Sequence, residues 1–115
     1  MGDLLNLKQG GERKRPVQAL TGDGAITIRD GLVVLSKGSA AAITITAPAT
    51  SDNGKQLTII TLTAQAHVIT SATVGFNAKG SSGTCTYTAA IGNSVTLDAY
   101  NGNWYASVKT GVTLA

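Results

Sequence analysis

The clearest hydrophobic pattern lies near the C-terminal end of the chain. Val95, Leu97 and Ala99 alternate with Thr96, Asp98 and Tyr100, and Trp104, Ala106 and Val108 alternate with Tyr105, Ser107 and Lys109. Asn101-Gly102 lies between the two runs. Period-two alternation puts one set of side chains on each face of a strand. Asn-Gly supplies the two positive φ angles of a two-residue hairpin turn. The turn predicts a register: Tyr100 against Asn103, Ala99 against Trp104, Leu97 against Ala106 and Val95 against Val108. The apolar residues then share one face, with Asp98 opposite Tyr105 and Ser94 opposite Lys109 on the other.

Shorter stretches upstream have the same texture. Gly24 to Ile28 alternates up to an Arg29-Asp30-Gly31 turn. Leu32 to Leu35 is an unbroken apolar run, suited to a strand buried on both faces. Lys37-Gly38-Ser39 ends it. Ala42 to Thr46 alternates until Pro48, which cannot donate to a ladder. A turn over Ser51 to Lys55 contains Asn53-Gly54. In Gln56 to Thr63, Leu57 and Ile59 share one parity, and Ile60 and Leu62 share the other. A β-bulge at Ile59-Ile60, or burial on both faces, accounts for that slip. His67 to Thr70, a brief Thr73-Val74, a loop over 76–83 and an alternating Thr84 to Thr88 complete the series. No stretch holds a helical period for three turns. The pattern predicts an all-β fold, a small antiparallel β-sandwich or barrel of about seven to nine short strands, over residues 23–115.

Residues 1–22 read differently. They hold Gly10-Gly11, the run Glu12-Arg13-Lys14-Arg15-Pro16 and scattered apolar residues. Pro16 disfavours helix in the residue before it. This stretch is expected to be an extended or flexible N-terminal arm that docks on a partner, the alternative being a floppy terminus that only solvates the fold. Arg13, Lys14 and Arg15 would make its charged contacts, with Leu4, Leu5, Val17 and Leu20 as apolar anchors.

Composition narrows the picture. Sixteen of the 115 residues are Thr, which favours strands without adding an exposed apolar patch. Only 4% are aromatic, a thin core for a lone monomer, so burial is expected to be completed by assembly with copies of the chain. No apolar run approaches twenty residues, so no membrane-spanning helix is expected. The first residues lack a charged start followed by an apolar stretch, which predicts synthesis in a cytoplasm without a signal peptide.

Candidate chemistry is sparse, and no catalysis, cofactor or metal is expected. His67 is the only histidine and reads as a structural residue within a sheet. Cys85, flanked by Thr84 and Thr86, reads as a small buried hydrophobe. His67, Cys85 and scattered Asp do not form a metal set. Of the six acids only Asp98 lies in a strand, so no carboxylate pair is suggested. Gly22-Asp23-Gly24 opens no helix and is no phosphate-binding loop. The net charge of +3 rests largely on Arg13 to Arg15, and the remaining cations do not interleave with aromatics, which argues against nucleic acid.

Five segments carry a resemblance. They are Ile43-Thr44-Ile45-Thr46-Ala47-Pro48, Asp52-Asn53-Gly54-Lys55-Gln56-Leu57-Thr58-Ile59, Ala64-Gln65-Ala66-His67-Val68-Ile69-Thr70, Ala90-Ile91-Gly92-Asn93-Ser94-Val95-Thr96-Leu97 and Tyr100-Asn101-Gly102-Asn103-Trp104-Tyr105. Their order, over roughly 70 residues from Ile43, resembles tailed-bacteriophage head decoration (capsid cement) proteins. Similar text occurs in trimeric tail-fibre and spike modules, the alternative reading. The resemblance implies a non-enzymatic virion protein, made in the host bacterial cytoplasm and carried on the capsid surface. It implies a homotrimer that binds the major capsid protein and stabilises contacts between its subunits, with neither nucleic acid nor membrane as a direct partner. The arm lies outside the resemblance.

Overall fold

A computed structural model describes residues 14–80 and 82–115. Among these residues there are ten strands, a single 3-10 turn at Thr50–Asp52 and no α-helix. The strands are β1 Val17–Leu20, β2 Gly24–Ile26, β3 Gly31–Leu35, β4 Ala42–Ile45, β5 Gln56–Thr61, β6 Val68–Thr70, β7 Thr84–Tyr87, β8 Ser94–Tyr100, β9 Asn103–Thr110 and β10 Val112–Leu114. One five-stranded sheet has the order β1-β3-β5-β8-β9 and the other β10-β7-β6-β4-β2. Their inward faces share one hydrophobic core, as in a sandwich.

The all-β sandwich expectation holds, but the purely antiparallel pairing and the barrel alternative are corrected. Both sheets are mixed and neither closes on itself. The chain winds in coils, stepping from the first sheet to the second as β1 to β2, β3 to β4 and β5 to β6. Successive coils pair in parallel. It then reverses: β7 is antiparallel to β6, β8 to β5, β9 to β8 and β10 to β7. A parallel neighbour has to be reached by a crossover, and each crossover here is a strand of the opposing sheet. Alternation in a sequence specifies which face a residue takes but not which way its neighbour runs.

Strand β1 falls within the stretch read as an arm. It pairs with β3 from Val17↔Leu32 to Leu20↔Leu35, so the sheet begins by Val17. Gly31 makes that pairing possible. Its φ is +117°, and a Cβ there would lie 2.1 Å from the Pro16 carbonyl oxygen, which accepts the Leu32 N–H at 2.9 Å.

The last hairpin turns where expected, with Asn101 and Gly102 both at positive φ. Its register matches the expectation from Tyr100↔Asn103 to Leu97↔Ala106. Beyond that a bulge shifts it, so Thr96 faces Val108 and Val95 faces Lys109. The expected pairings Val95 with Val108 and Ser94 with Lys109 are therefore corrected, and Val108 turns outward, 56% exposed. Of the two readings of the Ile59-Ile60 slip, the bulge does not occur: β5 keeps an unbroken register with β3 and β8, and Ile60 faces outward, half-buried.

The core closes within one chain. Val33, Leu35, Leu57, Ile59, Val95 and Leu97 of the first sheet meet Ile26, Ile43, Ile45, Ile69, Cys85 and Tyr87 of the second. Three of the five aromatics, Phe76, Tyr87 and Trp104, are fully buried, so the core is less thin than composition implied. Polar tips are satisfied: Trp104 Nε1–H donates to the Thr46 carbonyl at 2.9 Å, and the Tyr87 hydroxyl crosses between sheets to the Ile59 carbonyl.

Candidate interface

The outer face of the first sheet is the least expected surface of the molecule. On β3, Val33 and Leu35 point inward, which leaves Leu32 and Val34 outward and half-buried. On β5 the outward positions are Gln56, Thr58 and Ile60, with Leu62 next on the same parity. The registers align these side chains in two rows. Val17, Leu32, Thr58, Thr96 and Val108 form one; Ala19, Val34, Ile60, Ser94 and Thr110 form the other. Neither row holds a charge. Thr58 and Thr96 meet hydroxyl to hydroxyl at 3.2 Å, which satisfies part of their hydrogen-bonding capacity in the middle of the face.

Val17 is 64% exposed and Leu62 49%. Parallel strands usually have both faces covered, yet the outer side of the parallel trio β1-β3-β5 keeps these apolar residues open. Four strand spacings of about 4.8 Å and a strand of about 20 Å give the face a footprint of roughly 400 Å².

Charge gathers at one end of this sheet instead. Arg15 Nη2–H donates to Asp30 at 2.7 Å and also to the Gln56 carbonyl. Lys55 reaches Asp52 at 2.9 Å, with Arg29 3.8 Å from the same carboxylate. Asp98 accepts from Gln56 Nε2–H at 2.8 Å on the outer face, opposite Tyr105. Hydrogen bonds from Arg15 and the Gln56 backbone hold the Asp30 carboxyl below its usual range, and those from Lys55 and the Ala49 backbone do the same for Asp52.

The arm residues separate into two groups. Leu4, Leu5 and Arg13 lie outside the described residues. Lys14 is exposed, Arg15 is held by Asp30, Val17 belongs to the apolar face, and Leu20 packs on the core.

The groups weighed for chemistry are structural in their contacts. His67 is fully buried; Nδ1 accepts the Ala41 N–H at 3.0 Å and Nε2 lies 3.0 Å from Thr63 Oγ1. Thr63 Oγ1–H donates to the Lys37 carbonyl, so the ring is neutral with its proton on Nε2. Burial lowers its pKa, with a smaller push from Lys37. Burial pushes the Cys85 thiol up to about 12. Among the described residues no group of three or more His, Cys, Asp or Glu is placed to hold a metal ion, and no helix is long and apolar enough to cross a membrane.

Sequence reading missed the two-row face. Its signal was present in the apolar residues of both parities in Leu32 to Leu35 and Ile59 to Leu62. The chain matches no protein-family model, no curated protein and no solved structure.

Proposed function

We propose that the protein is a non-enzymatic structural component of a tailed-bacteriophage virion, a decoration protein that stabilises the outside of the capsid. Three copies pack through the outer face of the first sheet, and the N-terminal segment engages the major capsid protein. The segment resemblance supports the phage class. The observation that supports assembly is the charge-free double row from Val17 and Ala19 to Val108 and Thr110. An interface of standard size buries about 800 Å² per partner, roughly twice this footprint. The face therefore needs further contacts around its rim, and in this reading the residues ahead of β1 supply them.

The test is co-sedimentation with undecorated capsids. Removing residues 1–13 keeps β1 and its Arg15–Asp30 anchor. The truncated protein is expected to keep its oligomeric state and bind capsids at least tenfold more weakly. Changing Arg13 and Lys14 to Ala is expected to weaken binding more at low salt than at high salt. Binding by both variants at the wild-type level contradicts the role given to the N-terminal segment. Failure of the intact protein to bind any capsid contradicts the decoration reading and leaves the tail-fibre alternative, in which copies still assemble through the same face.

A further inference from the structure

The loop between β6 and β7 borders a cavity of about 340 Å³, lined in part by Ser71, Lys79, Ser82 and Gly83. Ser71 is 1% exposed, and among the described residues its Oγ has no hydrogen-bond partner. Buried hydroxyls are nearly always satisfied, so an orphan at a cavity wall marks a place that something else completes. The backbone beside it is unusual as well. Asn77, Ala78 and Lys79 take consecutive φ angles of 54°, 53° and 67°, and Ser82 is also at 67°. L-residues avoid this region, and conformations of this kind collect at ligand clamps.

The cradle is fixed in place. The Asn77 N–H donates to the Trp104 carbonyl and its Oδ1 accepts the Ala106 N–H, which ties the loop to β9. The Phe76 N–H donates to the Ser82 carbonyl, and the Ser71 N–H to the Gly83 carbonyl. Charge gives the cavity its sign. Asp23, Asp30, Asp52 and Asp98 are bound elsewhere, to Lys37, Arg15, Lys55 and Gln56. None of them lines the cavity. Lys79 does, and among the described residues it makes no ion pair.

We propose that this cavity binds a small oxyanion, with the Lys79 ammonium supplying the charge and the Ser71 and Ser82 hydroxyls donating to its oxygens. A water molecule would satisfy Ser71 alone, whereas an oxyanion engages the buried Ser71 hydroxyl and the exposed Lys79 ammonium together. The proposal is independent of the virion reading, since it concerns a different surface and a different ligand.

The experiment is an amide NMR titration with inorganic phosphate and, separately, with acetate, at constant ionic strength set by sodium chloride. Saturable shifts confined to residues 71–83 are expected, and comparing the two anions tells a phosphoryl group from a carboxylate. Lys79→Ala and Ser71→Ala are each expected to weaken binding at least tenfold. Ser71→Ala is also expected to raise Tm in anion-free buffer, because it removes a buried hydroxyl with no partner. Three results would overturn the proposal: no saturable shift with either anion, unchanged binding in both variants, or a lower Tm for folded Ser71→Ala, which would show the hydroxyl already satisfied by water.

Discussion

His67 sits where an added proton would do the most damage. Nδ1 already accepts the Ala41 N–H, so protonating it would set two N–H groups against each other in a fully buried site. Its folded pKa lies below the ordinary histidine value of 6.5, so the unfolded chain takes up the proton first. Stability is therefore complete above about pH 6.5 and declines as pH falls toward the depressed folded value. The lowered carboxyls of Asp23, Asp30 and Asp52 act in a separate window, below the ordinary aspartate value of 3.8. Thermal melts at pH 7.5 and pH 5.0 are expected to show a lower Tm at the acidic pH. In His67→Gln, which keeps an acceptor and a donor but cannot titrate, most of that difference should vanish. An equal drop in the variant would contradict the assignment.

Among the elements, β1 depends most on a single residue. Gly31→Ala would force a Cβ into the Pro16 carbonyl at an unfavourable positive φ. It is expected to cost about 2–3 kcal/mol and to lose amide protection in Val17–Leu20 before the rest of the first sheet. Chemical denaturation with hydrogen exchange checks this, and wild-type stability would contradict it. The hairpin of β8 and β9 was legible in the sequence because two cues, alternation and Asn-Gly, agreed near the turn. The cues lose force with distance, and the bulge past Leu97 escaped them because Ala106-Ser107-Val108 continues the alternation without a break. The parallel pairs escaped for a different reason. Val17 pairs with Leu32 and Leu32 with Thr58, spacings of 15 and then 26 residues, so no repeat is visible. Residues Val17–Leu20 looked like part of an arm because a four-residue edge strand next to a basic run alternates too briefly to be recognised.

At the scale of the whole molecule, the surface and not the core is what favours the proposed assembly. The core is closed by one chain, with Trp104, Phe76 and Tyr87 inside, so aromatic scarcity does not by itself require a partner. The proposed partner surface is instead the outer face of the first sheet, where two charge-free rows cross all five strands. Introducing a charge there would leave the inner core untouched but bury an unpaired charge in any interface using that face, a loss of several kcal/mol. The most direct measurement is sedimentation velocity at about 10 μM of the wild type and of Val34→Asp/Ile60→Asp, each checked by circular dichroism for the same β spectrum. The wild type is expected to sediment as a trimer and the folded double variant as a monomer. A monomeric wild type, or a folded double variant that remains trimeric, would contradict the account.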